Sequence, residues 1–210
     1  MTEHDWNAHY VSDELPWDTG EPDSLLVEAV QGGVAPRGRA LEIGCGTGTN
    51  ALWLAAHGFD VLATDIASRA IERAKARAVG VKPAPQCRFQ VHDFLRDAPP
   101  TPGFQLVFDR GCFHVFSEPA EQAEFAARVA QVLALEGVWL SLIGSTEGPA
   151  REGGGPPRRS ARELANAVEP ALRLLTLRAI AFDGLPGGTH QAWLLVAQRR
   201  ELPAQPSSRF

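Results

Sequence analysis

The stretch that decides the fold runs from Arg39 to Asn50 and reads RALEIGCGTGTN. Its first five residues form a mostly apolar run, which predicts a buried strand. Three glycines follow at alternate positions, Gly44, Gly46 and Gly48, and the residues after them predict a helix. A strand, a glycine-rich turn and a helix N-terminus in this order are typical of the first ligand-binding turn of a nucleotide-binding α/β sheet.

The rest of the chain continues the alternation of strands and helices. Further strands are predicted at 60–65, 86–91, 104–109 and 138–144, and helices at 49–58, 67–80, 121–135 and from about 160. This alternation predicts a parallel sheet that is covered on both faces. The last two strands, 173–182 and 191–198, have no helix between them, so we expect an antiparallel pair.

Composition limits the class of protein. The chain has 210 residues, 44% of them hydrophobic, and a formal net charge of −5, which predicts one domain with a sizeable core and argues against non-specific binding to nucleic acid or to an anionic membrane. The three cysteines are widely spaced and form no metal-binding pattern, so we expect reduced thiols and no metal. The N-terminus lacks an apolar signal core, and no apolar run approaches a membrane span. We therefore expect a cytoplasmic protein.

Acidic residues at the strand ends restrict the ligand. The loop reads GxGxG and places Thr49 where a dinucleotide fingerprint needs its third glycine, so the anion at this helix need not be a pyrophosphate. Asp65 ends the second strand and suits two ribose hydroxyls, in NAD or in an adenosyl ligand alike. Asp93, after the third strand, favours an adenosyl ligand because a carboxylate there accepts from the adenine amine, with Phe94 or Val91 against the ring.

Together these motifs resemble those of the class I S-adenosylmethionine-dependent methyltransferases. LEIGCGTG resembles their first motif, Asp65 the second, HDF (92–94) the third and FDRG (108–111) the fourth. The resemblance implies a Rossmann-like, doubly wound, seven-stranded sheet, mostly parallel, with an antiparallel last strand. It also implies S-adenosyl-L-methionine as the cofactor and S-adenosyl-L-homocysteine as its product. The cofactor-binding residues that follow from these motifs are Glu42, Gly44, Cys45, Gly46, Gly48, Asn50, Asp65, Ile66, His92, Asp93, Phe94, Asp109 and Arg110.

A narrower resemblance lies at the ends of the chain. DWNAHY (5–10), PWDTGEP (16–22) and DRG (109–111) resemble the thiopurine and thiol or halide methyltransferases. This implies that Trp6, Tyr10 and Trp17 cover the cofactor and that Arg110 lies at its methionine end. We expect a single domain over 1–210, made of a cofactor-covering segment (1–35), a Rossmann-like core (36–198) and a flexible tail (199–210). A monomer or weak homodimer is expected.

The sequence leaves the acceptor open. Arg110 and His114 are the candidate catalytic residues, His114 as a general base or a substrate contact. Methyl transfer from a sulfonium needs no covalent enzyme intermediate, so Cys45 and Cys112 are expected to be buried small side chains. The Gly/Pro-rich segment 144–160 is either a substrate lid, with Arg158 or Arg159 steering an anion, or a surface insertion.

The main functional prediction is methyl transfer to a small-molecule thiol or another soft or heterocyclic nucleophile. O- or N-methylation of a small aromatic or quinone-like metabolite is the alternative. A catalytically silent cofactor-binding module is the alternative outside the enzymes.

Overall fold

A computed structural model describes residues 5–12, 15–81, 86–148, 157–182 and 190–200. The helices over these residues are α1 (Trp6–Ser12), α2 (Ser24–Gln31), α3 (Thr49–Ala56), α4 (Ser68–Val79), α5 (Pro119–Val132) and α6 (Ala161–Val168), with a 3₁₀ turn at Phe113–Val115. The strands are β1 (Arg39–Ile43), β2 (Asp60–Asp65), β3 (Cys87–Val91), β4 (Phe104–Arg110), β5 (Leu133–Gly144), β6 (Leu172–Phe182) and β7 (His190–Arg199).

The strands form one seven-stranded sheet in the order β3-β2-β1-β4-β5-β7-β6. Strands β1 to β5 pair in parallel, whereas β7 inserts between β5 and β6 and is antiparallel to both. The predicted mostly parallel sheet with an antiparallel last strand is therefore confirmed. The order reverses between β1 and β4, and ligands of open α/β sheets bind outside the carboxyl ends of the strands at such a point.

Two apolar cores cover the two faces of the sheet. On one face, Phe125 of α5 and Leu164 of α6 pack against strand residues that include Trp139. On the other face, Leu26 of α2 and Leu54 of α3 pack in a second core. This two-sided burial explains the near-continuous apolar runs of the central strands.

Two local differences from the sequence prediction arise at tertiary contacts. The helix predicted at 121–135 ends at Val132, and β5 begins at Leu133 instead of residue 138. Leu133 pairs with Phe104, and a register shift follows before the regular ladder. The segment before β1, for which only a covering role is predicted, contains α1 and α2; Asp23 caps α2 by accepting a hydrogen bond from Leu25 N at 3.0 Å.

Candidate functional site

The glycine loop between β1 and α3 has a left-handed backbone at each of its three glycines. The φ angles are +71° at Gly44, +54° at Gly46 and +83° at Gly48, a region that other residues adopt only with strain. Cys45 N donates to Thr64 O at 2.9 Å, which fixes the loop against β2. The loop therefore turns tightly and leads into the N-terminus of α3, where free N–H groups suit an anionic ligand.

Asp65, at the carboxyl end of β2, helps to build this loop. It accepts from Gly46 N at 2.9 Å through Oδ2 and from Ala67 N at 2.8 Å through Oδ1. Burial raises the pKa of this carboxyl. Each carboxylate oxygen has a second lone pair, so both can still accept from ribose hydroxyls. The ribose contact stays a prediction. The structure shows in addition that Asp65 holds the glycine loop in shape.

Glu42 lies beneath the loop, at the end of β1, and is 2% exposed. Its Oε1 accepts from Asn50 Nδ2 at 3.3 Å, while Oε2 is buried and has no hydrogen-bond partner among the described residues. A buried carboxylate oxygen without a partner is costly, and an ammonium group is a donor that would satisfy it. Glu42 thus fits the amino-acid end of the cofactor that the sequence resemblance implies.

We expect Glu42→Gln to flatten the dependence of stability on pH. Burial raises the pKa of Glu42 to about 8 from its ordinary 4.5. Between these values the unfolded chain is ionised and the folded chain holds a proton, so the free energy of unfolding falls as pH rises, by at most about 1.4 kcal/mol per pH unit. Glutamine does not ionise, so the substitution removes this pH-dependent contribution to the free energy of unfolding. Urea unfolding at pH 5, 6, 7 and 8 measures it, with the exposed Glu28→Gln as control; parallel profiles for wild type and Glu42→Gln would contradict the assignment.

The predicted adenine edge follows β2 and β3. Asp93 Oδ1 accepts from Leu95 N at 2.9 Å and from Arg96 N at 3.1 Å, which shapes the turn after β3. Two apolar side chains at this edge, Ile66 and Val91, are 44% and 49% exposed. Exposed apolar side chains beside a carboxylate suit a flat ring that carries an amino group.

The other two residues predicted at this edge turn away from solvent. Phe94 is buried in the core, with its ring centroid 4.9 Å from that of Phe125. His92 is buried, and its Nδ1 lies 3.5 Å from the carboxylate of Asp97. Val91, which the sequence gives as the alternative to Phe94, is thus the more accessible side chain for a ring.

Asp109, predicted as a cofactor contact, is completely buried at the end of β4. Its Oδ1 accepts from Phe113 N and its Oδ2 from Trp139 Nε1, both at 2.9 Å. Burial raises the pKa of this carboxyl to about 6. Asp109 therefore organises the turn that follows β4, because both oxygens are committed to the protein interior.

Arg110 points to the N-terminal segment. Its Nε donates to Asp23 Oδ2 at 2.7 Å and its Nη1 to Trp17 O at 3.2 Å. Its guanidinium carbon lies 5.0 Å from the ring centroid of Phe182, at the end of β6. The predicted catalytic and cofactor-contact roles of Arg110 stay predictions. The structure adds contacts of Arg110 with the N-terminal segment and with the end of β6, which the sequence motifs do not indicate.

His114, in the 3₁₀ turn, is buried and accepts from Gly144 N at 2.8 Å through Nδ1. A neutral imidazole that accepts at Nδ1 carries its proton on Nε2. In this arrangement Nε2 holds the ring proton and Nδ1 is occupied by Gly144 N, so neither ring nitrogen is available to remove a proton from an acceptor. A substrate or positioning contact fits this geometry better than a general base.

We call residues 5–12 and 15–23 the N-terminal strap. It carries an aromatic cluster in which the ring centroids of Trp6, His9 and Tyr10 lie 6.2, 5.3 and 6.5 Å from that of Trp17. Tyr10 is buried against the glycine loop: a Cβ on Gly46 would lie 3.3 Å from the Tyr10 hydroxyl. The structure thus brings the three predicted covering aromatics together beside the loop.

Polar contacts of the strap are what sequence reasoning missed. Asp18 Oδ2 accepts from Thr47 Oγ1, inside the glycine loop, at 2.6 Å, and lies 3.5 Å from Arg77 Nη2. Asp23 binds Arg110 as described above. Both acids lie in or beside PWDTGEP, so the motif was visible, but their partners are distant in sequence.

The segment 144–160 is described only in part, and residues 149–156 lie outside the described residues. At its end, the Arg159 guanidinium is buried and donates to His114 O and Phe116 O. Of the two arginines predicted as alternatives for steering an anionic substrate, Arg159 is wrong, because its charge faces backbone carbonyls in the interior. The steering role of Arg158 stays a prediction.

The two cysteines near the site differ in exposure, since Cys45 is buried and Cys112 is partly buried. Burial raises the pKa of Cys45 and of Cys112 well above the ordinary thiol value. Such thiols stay protonated near neutral pH and are poor nucleophiles. Among the described residues there is no group of three or more side chains that could hold a metal ion, and no helix long and apolar enough to cross a membrane.

Comparisons with known proteins agree with this geometry. Residues 40–137 match the family model described as a methyltransferase domain. The chain is 30% identical over 165 residues to the probable thiol methyltransferase 2 of Arabidopsis thaliana, covering 79% of this chain and 71% of that protein. It is 29% identical over 187 residues to thiocyanate methyltransferase 1 of Brassica oleracea, covering 89% and 79%.

Solved structures share the fold. The structure reported for the conversion of a disulfide bond into a thioacetal group during echinomycin biosynthesis superposes with a TM-score of 0.79 at 24% identity, covering 92% of this chain and 90% of that one. TehB from Haemophilus influenzae superposes with a TM-score of 0.70 at 14% identity, covering 91% and 66%.

Proposed function

Because the chain belongs to the class I S-adenosylmethionine-dependent methyltransferases, in the branch of the thiol methyltransferases, we propose that its acceptor is a small-molecule thiol or a related soft nucleophile. The cofactor supplies a methyl group on a sulfonium, which is already an excellent leaving group. The protein therefore has to bind, align and exclude water, and alignment of reacting groups is worth roughly 7–11 kcal/mol.

The described residues suggest how the cofactor is held. Glu42 and the N–H groups of the glycine loop would take the ammonium and carboxylate of the methionine end. Asp65 would accept from the ribose hydroxyls. Ile66 and Val91 would contact the adenine ring, and Asp93 its amine. Trp6, Tyr10 and Trp17 would then cover the cofactor from the strap side, where aromatic faces also suit a cationic sulfonium.

The observation that supports a thiol is the hydrogen bonding of two side chains, one at the end of β4 and one in the turn that follows it. His114 Nδ1 accepts from Gly144 N, and Asp109 accepts from Phe113 N and Trp139 Nε1. Neither group is placed to remove a proton from an acceptor. A thiol with a pKa near 8.5 ionises partly at neutral pH without help, whereas a phenol or alcohol has a greater need of a base.

A methyl-transfer assay with radiolabelled cofactor tests the acceptor. We expect small thiols and soft anions such as thiocyanate to be methylated, with kcat/KM rising tenfold per pH unit below the pKa of each thiol, because the thiolate reacts. Phenols, heterocycles and amines are the comparison substrates. Methylation of phenols or amines but not of thiols would establish the O- or N-methyltransferase alternative. Cofactor binding without turnover on the whole panel would establish the silent module.

We further propose a monomer or weak homodimer in the cytoplasm with no nucleic-acid partner. The net charge of −5 supports the absence of a nucleic-acid partner, since an acidic surface repels nucleic acid. Sedimentation across a hundredfold range of concentration measures the oligomeric state, and a concentration-independent dimer would contradict the proposal.

A further inference from the structure

Asp23 makes contacts with three different parts of the site. Its Oδ1 accepts from Leu25 N at 3.0 Å and caps α2. Its backbone N donates to Asn50 Oδ1 at 2.9 Å, and its Oδ2 accepts from Arg110 Nε at 2.7 Å. One residue of the strap therefore contacts both the start of α3 and the end of β4.

The charge of Asp23 is not needed for the cap. Serine and asparagine cap helices about as well as aspartate does. The carboxylate is instead matched to Arg110, and this pair is buried, with side-chain exposures of 14% for Arg110 and 5% for Asp23. Buried ion pairs are weak sources of net stability, but breaking one by removing a single partner is costly because the other charge loses its compensation.

The same pair joins the strap to the cofactor-facing glutamate. Arg110 Nη1 donates to Trp17 O at 3.2 Å, and Asn50, which binds Asp23 N, donates to Glu42 Oε1 at 3.3 Å. A continuous series of polar contacts thus runs from Trp17 through Arg110, Asp23 and Asn50 to Glu42. Its ends are the carbonyl of a covering aromatic and the buried carboxylate under the glycine loop.

We propose that Asp23 is a positioning residue whose ion pair with Arg110 latches the strap over the glycine loop and sets the rate at which cofactor and product leave. A ligand held between the loop and the strap is released only after the strap moves, because Tyr10 and Trp17 lie beside the loop. The Asp23–Arg110 pair must open in that motion, and such covering segments often limit turnover.

The proposal rests on cofactor binding at the glycine loop, as given under the proposed function, and not on the identity of the acceptor. Stopped-flow tryptophan fluorescence of the full chain measures the dissociation of S-adenosylhomocysteine, with Trp6 and Trp17 as reporters in the strap. We expect Asp23→Asn, which keeps the cap and removes the charge, to speed dissociation roughly tenfold, since truncating a buried charge pair acts on the off-rate. If the Asp23→Asn variant fails to fold, Asp23→Ser also keeps the cap and removes the charge, and the same faster dissociation is expected.

Two controls separate latching from structure. Glu28→Gln removes a carboxylate from the same helix, where its partner Arg178 is 3.7 Å away and both side chains are exposed, and it should leave dissociation unchanged. In a double-mutant cycle, Arg110→Gln alone should speed dissociation, and Asp23→Asn should add little in that background.

Three results would overturn the proposal. The first is an unchanged dissociation rate in a folded Asp23→Asn variant. The second is that Asp23→Asn speeds dissociation by the same factor in the wild type and in the Arg110→Gln background. The third is that Glu28→Gln speeds dissociation as much as Asp23→Asn does. A wild-type protein that shows no binding of S-adenosylhomocysteine would instead contradict the proposed function, so the two failures are distinguishable.

Discussion

Asp65→Ala is expected to lower the affinity for S-adenosylmethionine by about a hundredfold or more. Hydrogen bonds to a charged group are worth roughly 1.5–3 kcal/mol each, and the substitution removes the proposed pair to the ribose. It also leaves Gly46 N and Ala67 N without the acceptors at 2.9 and 2.8 Å that hold the loop. The variant therefore loses both a ligand contact and the shape of the loop.

Titration calorimetry with matched variants separates these two contributions. Asp65→Asn keeps one oxygen acceptor and should bind more tightly than Asp65→Ala. Asp60→Ala lies at the other end of β2, where the side chain is 39% exposed and pairs with exposed Arg88, and should bind like wild type. Unchanged affinity in a folded Asp65→Ala would exclude the ribose assignment.

Gly48→Ala is expected to give the largest loss of folding stability among simple substitutions in the loop, about 2–5 kcal/mol. The left-handed backbone costs a non-glycine residue roughly 1–2 kcal/mol, and overpacking in a filled interior costs roughly 1–3 kcal/mol. Both apply here, because φ is +83° and an added Cβ would lie 2.8 Å from Phe89 Cε1 and 3.0 Å from Ala74 Cβ.

Gly33→Ala provides the matched control, because its φ is +73° but an added Cβ would meet nothing within 4 Å. It should show the backbone cost alone. Urea unfolding of both variants and wild type, with equal m-values, measures the difference. Equal destabilisation of the two variants would mean that the contact between the loop and Phe89 does not restrict position 48.

The sequence predicted the scaffold well because the scaffold depends on local pattern. Apolar periodicity gave the seven strands, and the alternating glycines gave the loop whose three positive φ angles the structure shows. Errors occurred where distant parts of the chain meet. Pairing of Leu133 with Phe104 extends β5 toward α5. The helices of the N-terminal segment are not predicted by any strong pattern of apolar residues.

Within the site, the sequence identified the residue types at the strand ends, and the tertiary structure decided which of their atoms are already bonded within the protein. Glu42 has a buried oxygen without a partner among the described residues, whereas Asp109, an equally plausible acid by position, has both oxygens bonded to the interior. Phe94 packs in the core, and Val91 is exposed. Position along a strand fixes the edge of the sheet at which a side chain lies, but not its hydrogen-bond partners.

By itself, then, the sequence determined the class of fold, the family and the position of the glycine loop, because these follow from periodicity, glycine placement and the order of motifs. Only the tertiary structure decided how the strap is held. The Arg110–Asp23 pair joins residues 87 positions apart, and Asp18 reaches Thr47 across 29. Such contacts form because the folded sheet places β4, the glycine loop and the strap side by side, and no local pattern encodes that proximity.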